Sequence, residues 1–298
     1  MIFERQRYLL ALLDALGGEA GKLDFQKLLF LYSTGENRQP IYEFVPYKYG
    51  AFSFTSNADL CRLADRGLLT AEEKSWRLTS VGHTEARINP IIHKRVLGFV
   101  QEQGRLRGDA LIAATYRRFP YYAIHSEMAP RILAGDGLAL EAIERSRTAL
   151  NEPALFTIGY EARSLECYLN LLIKAGVTIL CDVRRNPLSR KYGFSKKTLS
   201  HAVTHVGIRY EHLPELGIAS EERRELRTQR DYDELFATYV ATSLPQQAAA
   251  LQLIGKWIQE GHRVALTCYE ALPNQCHRHC VAEAVEKTIA EVCPLSHL

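Results

Sequence analysis

A chain of 298 residues with 47% hydrophobic and 24% charged residues has the composition of a globular protein, which excludes general disorder, and its length points to two domains. The net charge of +3 is too small to specify a nucleic-acid partner, so any such reading rests on where the charges lie. No apolar run approaches the roughly 20 residues that span a bilayer, and no membrane association is expected. Seven cysteines, an odd number in a chain without an export signal, fit reduced thiols and a cytoplasmic location.

Residues 1–89 read as one domain. Tyr8, Leu9, Leu12, Leu13 and Leu16 recur at helical spacing until Gly17-Gly18, which argues for a helix and, with Asp14 breaking the apolar run, against a signal peptide. Leu23, Lys27, Leu28, Leu31 and Tyr32 predict a second helix ending near Gly35. Residues 41–49 alternate weakly, as a short strand broken by Gly50, and a third helix fits 56–66. Leu68-Leu69, a polar turn and Trp76-Arg77-Leu78 predict a β-hairpin closed by a Thr-Ser-Val-Gly turn. Helix, helix, helix, hairpin is the order of a winged helix. The phrases PYKYGAFS and LADRGLL resemble winged-helix-like segments, including the Panacea antitoxin domain, over about 80 residues.

Residues 90–152 read as a connector of helices interrupted at Gly104, Gly108, Pro120, Pro130 and Gly135. Tyr121 and Tyr122 beside Arg117 and Arg118 fit core filling better than base stacking. From residue 153 to 298 the pattern changes. The short, β-branched runs ALFTIG, VTILCDV and RVALTCY alternate with helical stretches at 165–174 and 246–259. That alternation predicts an α/β domain, a doubly wound, largely parallel sheet with helices on both faces and right-handed crossovers. Each run turns polar at its carboxyl end, where such sheets place their ligand crevice.

Three polar clusters therefore converge if the sheet forms: TIGYEARS, CDVRRNPLSRKYGFSKK and CYEALPNQCHRHC. These phrases, with RYEHLPELG, resemble the motifs of the domain-of-unknown-function 488 family over about residues 154–285. The resemblance implies an α/β fold and no general activity, and it implies histidine where this chain has Tyr160.

Residue types then suggest roles. Glu270, a carboxylate just beyond an apolar strand, suits a general acid or base, and Cys268 suits a nucleophile if Arg184, Arg278 or the following helix N-terminus lowers its pKa. Asp182 and His277 complete the catalytic candidates, although Asp182 also fits an ion pair with Arg184 or Arg190. Cys268, Cys276, His277 and Cys280 offer metal-ligand types. Only His277 to Cys280 has a ligand-pair spacing, and Cys276 and His277 are adjacent, so no metal site is assigned and the cofactor stays unknown. Arg184, Arg185, Arg190, Lys191, Lys196 and Lys197 carry positive charge with no acid among them, which with Arg163, Ser189 and His212 suits phosphate. Arg223, Arg224, Arg227 and Arg230 read as an exposed, salt-bridged helix without a function.

The leading functional expectation is a nucleic-acid-associated enzyme, DNA being the favoured partner, that acts on a base, sugar or phosphate as a hydrolase or glycosylase. A ligand- or redox-sensing DNA-binding regulator without catalysis is the alternative. A rhodanese-like sulfur carrier ranks third, because the short cysteine loop closed by arginine that such chemistry uses is not evident after Cys268.

Overall fold

The computed structural model describes residues 2–35, 41–103, 105–148, 152–219, 221–223, 226–289 and 293–298. Gly104 and Arg224 lie outside the described residues. The chain divides into two compact units, residues 1–147 and 148–298.

The first unit begins with helix α1 (Glu4–Ala15), strand β1 (Glu19–Gly21) and helix α2 (Lys22–Ser33). The segment read as one weak strand is a hairpin, β2 (Val45–Tyr47) and β3 (Gly50–Phe52). Gly50 opens β3 instead of ending a strand: its φ of 86° suits the tight turn, and a Cβ there would meet the Tyr116 ring at 2.5 Å. Helix α3 (Phe54–Asp65) follows, its N-terminus capped by Ser53, and then β4 (Leu69–Ala71) and β5 (Ser75–Leu78) form the expected hairpin. β1, which the pattern does not announce, adds to β5 antiparallel, giving a sheet of order β1-β5-β4. The residues read as a closing turn instead start helix α4 (Ser80–Arg87), because the Thr79 side chain accepts from the Gly82 amide and caps it.

Helices α5 (Pro90–Gln103), α6 (Gly108–Arg118), α7 (Ala129–Ile132) and α8 (Gly137–Arg145) complete this unit. Residues 90–147 are thus part of the first unit, and Ile92, Val96, Phe99 and Leu111 share one apolar core with α1 and α2. Tyr122 packs edge-on against Phe30 in that core. Within α3, the buried Asp59 carboxylate accepts from Arg5, Gln6, Tyr42 and Arg62, a fully paired internal charge.

The second unit runs β6 (Ala154–Gly159), α9 (Leu165–Lys174), β7 (Ile179–Asp182), α10 (Lys196–His205), β8 (Arg209–His212), α11 (Gln229–Thr242), α12 (Ala248–Gln259), β9 (Arg263–Cys268), α13 (Arg278–Glu286) and β10 (Leu295–His297). The five strands form one parallel sheet of order β10-β6-β9-β7-β8, so the expected α/β fold is present. β8 and β10, not marked by apolar runs, are its edges. Side chains alternate across the sheet: Leu155, Ile179, Cys181, Val264 and Leu266 share a core with Ile254, Trp257, Val281 and Val285 of α12 and α13. From the opposite face Tyr168 of α9 donates to Thr267 at 2.8 Å, so helices cover both faces. The late strand β9 returns to lie between the first two, β6 and β7, and the outward winding reverses there. In parallel α/β sheets such a reversal is where ligands bind, beyond the carboxyl ends of the strands.

Candidate functional site

The end of β9 sits in register with its neighbours: Cys268 lies opposite Gly159 of β6, and Thr267 opposite Asp182 of β7. Gly159 has a steric reason to be glycine, since a Cβ there would fall 1.8 Å from the Glu270 carbonyl oxygen. The chain after Cys268 can therefore bend tightly over β6. Tyr160 and Glu161 amides donate to the Tyr269 carbonyl at 3.1 and 2.9 Å, and the Glu161 carboxylate accepts from the Ala271 amide at 2.9 Å. These bonds hold Glu270 in place through its backbone.

The Glu270 side chain is 11% exposed and accepts from the Arg223 guanidinium on one oxygen, while the other lies 3.5 Å from the Cys268 sulfur. Arg278, almost fully buried, donates to the Glu270 and Ala271 carbonyl oxygens, and its Nε has no partner among the described residues. His277 is buried beside them. Its Nε2 lies 3.1 Å from the Val183 carbonyl, which can only accept, so Nε2 carries the proton and Nδ1 turns its lone pair toward Cys268 Sγ at 3.9 Å. Cys268 is completely buried, yet the Cys276 thiol donating to it, helped by Arg223, the Tyr269 amide and Arg278, lowers its pKa to about 7 against the cost of desolvation. Burial and that same hydrogen bond push the Cys276 thiol up. Arg184, one of the groups expected to activate Cys268, is occupied elsewhere.

Arg184 instead clamps Asp182. The Asp182 carboxylate, wholly buried, accepts from Arg184 through Nε at 2.8 Å, through Nη2, and through the backbone amide at 3.1 Å, and from the Tyr210 hydroxyl at 2.6 Å. Burial works against the Arg184 charge, but Asp182 more than offsets this and raises its pKa above the ordinary value. The remaining Arg184 donor serves Tyr160 and the Phe194 carbonyl at 2.9 and 2.8 Å. Tyr160, where the family resemblance implies histidine, stacks on Phe194 with centroids 4.4 Å apart. Asp182 and Arg184 thus satisfy each other and brace the loop that follows β7.

Further residues of the basic loop are partly engaged. Lys191 donates to the Tyr160 carbonyl at 2.8 Å, and burial lowers its pKa. Ser189 accepts from the Lys191 amide at 3.1 Å. His212 lies 2.9 Å from the Arg184 carbonyl through Nε2 and 2.9 Å from the Lys196 ammonium through Nδ1, so it orders the loop as a neutral ring. Arg163 donates to the Leu298 backbone oxygen at 3.0 Å and leaves Nη1 buried without a partner among the described residues. Arg185, Arg190 and Lys197 are exposed.

The structure brings together Cys268, Glu270, His277 and Arg278 of the sequence-predicted residues, adds Cys276, and sets Asp182 and Arg184 apart as a braced pair. Cys280, grouped with the cysteines by spacing, turns to His279 instead. Arg223 and Tyr210 were not signalled as site residues. The run around Arg223 reads as a helix, but residues 221–223 form a turn and α11 begins only at Gln229. A pattern of alternating charges carries no sign that one arginine reaches a carboxylate 47 residues away.

Fold and site together define a parallel α/β domain with a thiol, imidazole, carboxylate and guanidinium gathered at the end of its central strand. Residues 164–285, all within the second unit, match the family model described as Domain of unknown function DUF488. The TIG phrase of β6 precedes the matched stretch. No curated protein and no solved structure gave a match. Among the described residues, no helix is long and apolar enough to cross a membrane.

Proposed function

We propose that this protein is a nucleic-acid-associated enzyme whose second unit hydrolyses a bond to a base, sugar or phosphate at the end of β9. One observation carries the reading: the Glu270 carboxylate is fixed through its backbone at the carboxyl end of the central strand, nearly buried, with one oxygen held by Arg223. A carboxylate so placed is suited to take a proton from water. Arg185, Arg190 and Lys197, exposed in and just after the loop that follows β7, offer charge for phosphate. Nucleic acid rather than a free nucleotide is favoured by the first unit. Its order α1, β1, α2, α3, β4, β5, with β1 added to the β4–β5 hairpin, supports our reading of it as a winged helix with the β2–β3 hairpin inserted, in which α3 is the helix that approaches the duplex.

Binding of the full-length protein to labelled duplex DNA, single-stranded DNA and RNA across a salt series tests the partner. Affinity falling steeply with salt supports phosphate recognition, and absence of binding at low salt to all three removes the nucleic-acid reading. For the reaction, Glu270→Gln in a folded protein is expected to lower turnover at least about 100-fold, the lower end of a positioned acid or base. Unchanged turnover would remove Glu270 from the chemistry.

A further inference from the structure

Within this site, Cys268, Cys276 and His277 form a group that the hydrolytic reading leaves unexplained. Their donor atoms, two sulfurs and the His277 Nδ1, all lie within 4.8 Å of one another, and all three residues are at most 1% exposed. Burying two thiols and an imidazole lone pair against one another satisfies few hydrogen bonds, because sulfur is a poor donor and acceptor. Local backbone explains how adjacent residues converge. Cys276 is extended at φ −140°, ψ 129°, and His277 is helical at φ −56°, ψ −16°, so the chain turns between them.

We propose that Cys268 Sγ, Cys276 Sγ and His277 Nδ1 bind a divalent, thiophilic metal ion of the zinc class, leaving a fourth position beside Glu270 for water. A Zn–S bond of about 2.3 Å and a Zn–N bond of about 2.0 Å at tetrahedral angles put sulfur and nitrogen donors about 3.5 Å apart. The Cys268 to His277 separation of 3.9 Å is close to that spacing. His277 is already oriented as ligating histidines are, its other nitrogen donating to a backbone carbonyl, here that of Val183. Binding breaks two S–H bonds, forms two metal–sulfur bonds and releases two protons, so the local net charge is unchanged beside Arg223 and Arg278. Two cysteines and one histidine with an open position form a catalytic rather than a closed structural ligand set. Glu270, held by Arg223, borders that position without being a ligand. Only the role given to the water rests on the proposed hydrolysis.

Titration of reduced, metal-stripped full-length protein with Co2+ tests the site without any assay of activity. One Co2+ per chain, with a sulfur-to-cobalt charge-transfer band and the intense visible bands of a tetrahedral ion, is expected, and Zn2+ should displace it. Cys268→Ser and Cys276→Ser should abolish the charge-transfer band or sharply weaken it, whereas Cys280→Ser and Glu270→Gln should keep it. Absence of the band, or its full persistence in both serine variants, overturns the site, and its loss in Glu270→Gln overturns the open fourth position. Should the serine variants fail to fold, X-ray absorption of the zinc-loaded wild type decides: two sulfur scatterers support the assignment, and any other number contradicts it. Metal binding without nucleic-acid hydrolysis would leave this site standing and remove the proposed function. Full hydrolysis by metal-free protein would keep the proposed function and remove only the role given to the metal-bound water.

Discussion

Two acid–arginine pairs stand at the ends of neighbouring strands and do different things. At the end of β7, Asp182 receives four donors and is wholly buried, and its partner Arg184 is bound on every side. Past the end of β9, Glu270 shares one oxygen with a half-buried arginine and turns the other toward a sulfur. A carboxylate with all its lone pairs occupied has nothing left to offer a substrate, and it stabilises the fold instead. One with an oxygen facing a thiol retains capacity to exchange a proton or border an ion. Asp59 in the first unit belongs with Asp182, which shows that burial of charge alone does not mark a site.

The sharpest way to break that comparison is to delete each acid. Asp182→Ala strands the Arg184 guanidinium without a counter-charge and is expected to cost about 3–5 kcal/mol of unfolding free energy, read from denaturant unfolding. Glu270→Gln, beside an arginine that is 29% exposed, should cost less than about 1 kcal/mol while removing turnover. Equal costs would erase the distinction.

A smaller effect sharpens it. Gly159→Ala forces a methyl against the Glu270 carbonyl and should destabilise by about 1–3 kcal/mol. It should also impair Co2+ binding at Cys268, whereas a distant alanine substitution of equal cost should not.

Lys27 in the first unit extends the comparison to a buried amine with no carboxylate partner among the described residues. It donates to the Ala51 carbonyl at 3.0 Å, and desolvation lowers its pKa to about 7. The unfolded chain therefore holds a proton there up to about pH 10.5 that the folded chain releases near 7. Unfolded protein binds more protons in that window, so this residue makes stability rise with pH from about 7 to 10.5, by at most about 1.4 kcal/mol per unit. Hydrogen exchange in α2 and β3 at several pH values reads it. Lys27→Met should remove the rise, and a rise of the same size in that variant would refute the assignment.

Much of the second unit is legible in the sequence because its central strands are buried on both faces. ALFTIG, VTILCDV and RVALTCY are mostly apolar runs for that reason, and their polar ends announce where Asp182, Cys268 and Glu270 lie. Edge strands β8 and β10 lack such runs because each pairs on one side only, and β8 is half exposed along its length. In the first unit the hairpin β4–β5 follows from its polar turn, while β1 exists only because β5 offers it a partner.

The residue types of the site, cysteine, glutamate, histidine and arginine after a strand, were determined by the sequence itself, since local pattern places a strand end. Their pairing was decided by the tertiary structure alone. Arg184 chose Asp182 over Cys268, Arg223 reached Glu270 from a turn, and Cys276 with His277 converged on Cys268 although adjacency in the chain argued against it. Hydrogen bonds and ion pairs depend on separations of a few ångströms in space, and sequence spacing specifies those only within one regular element.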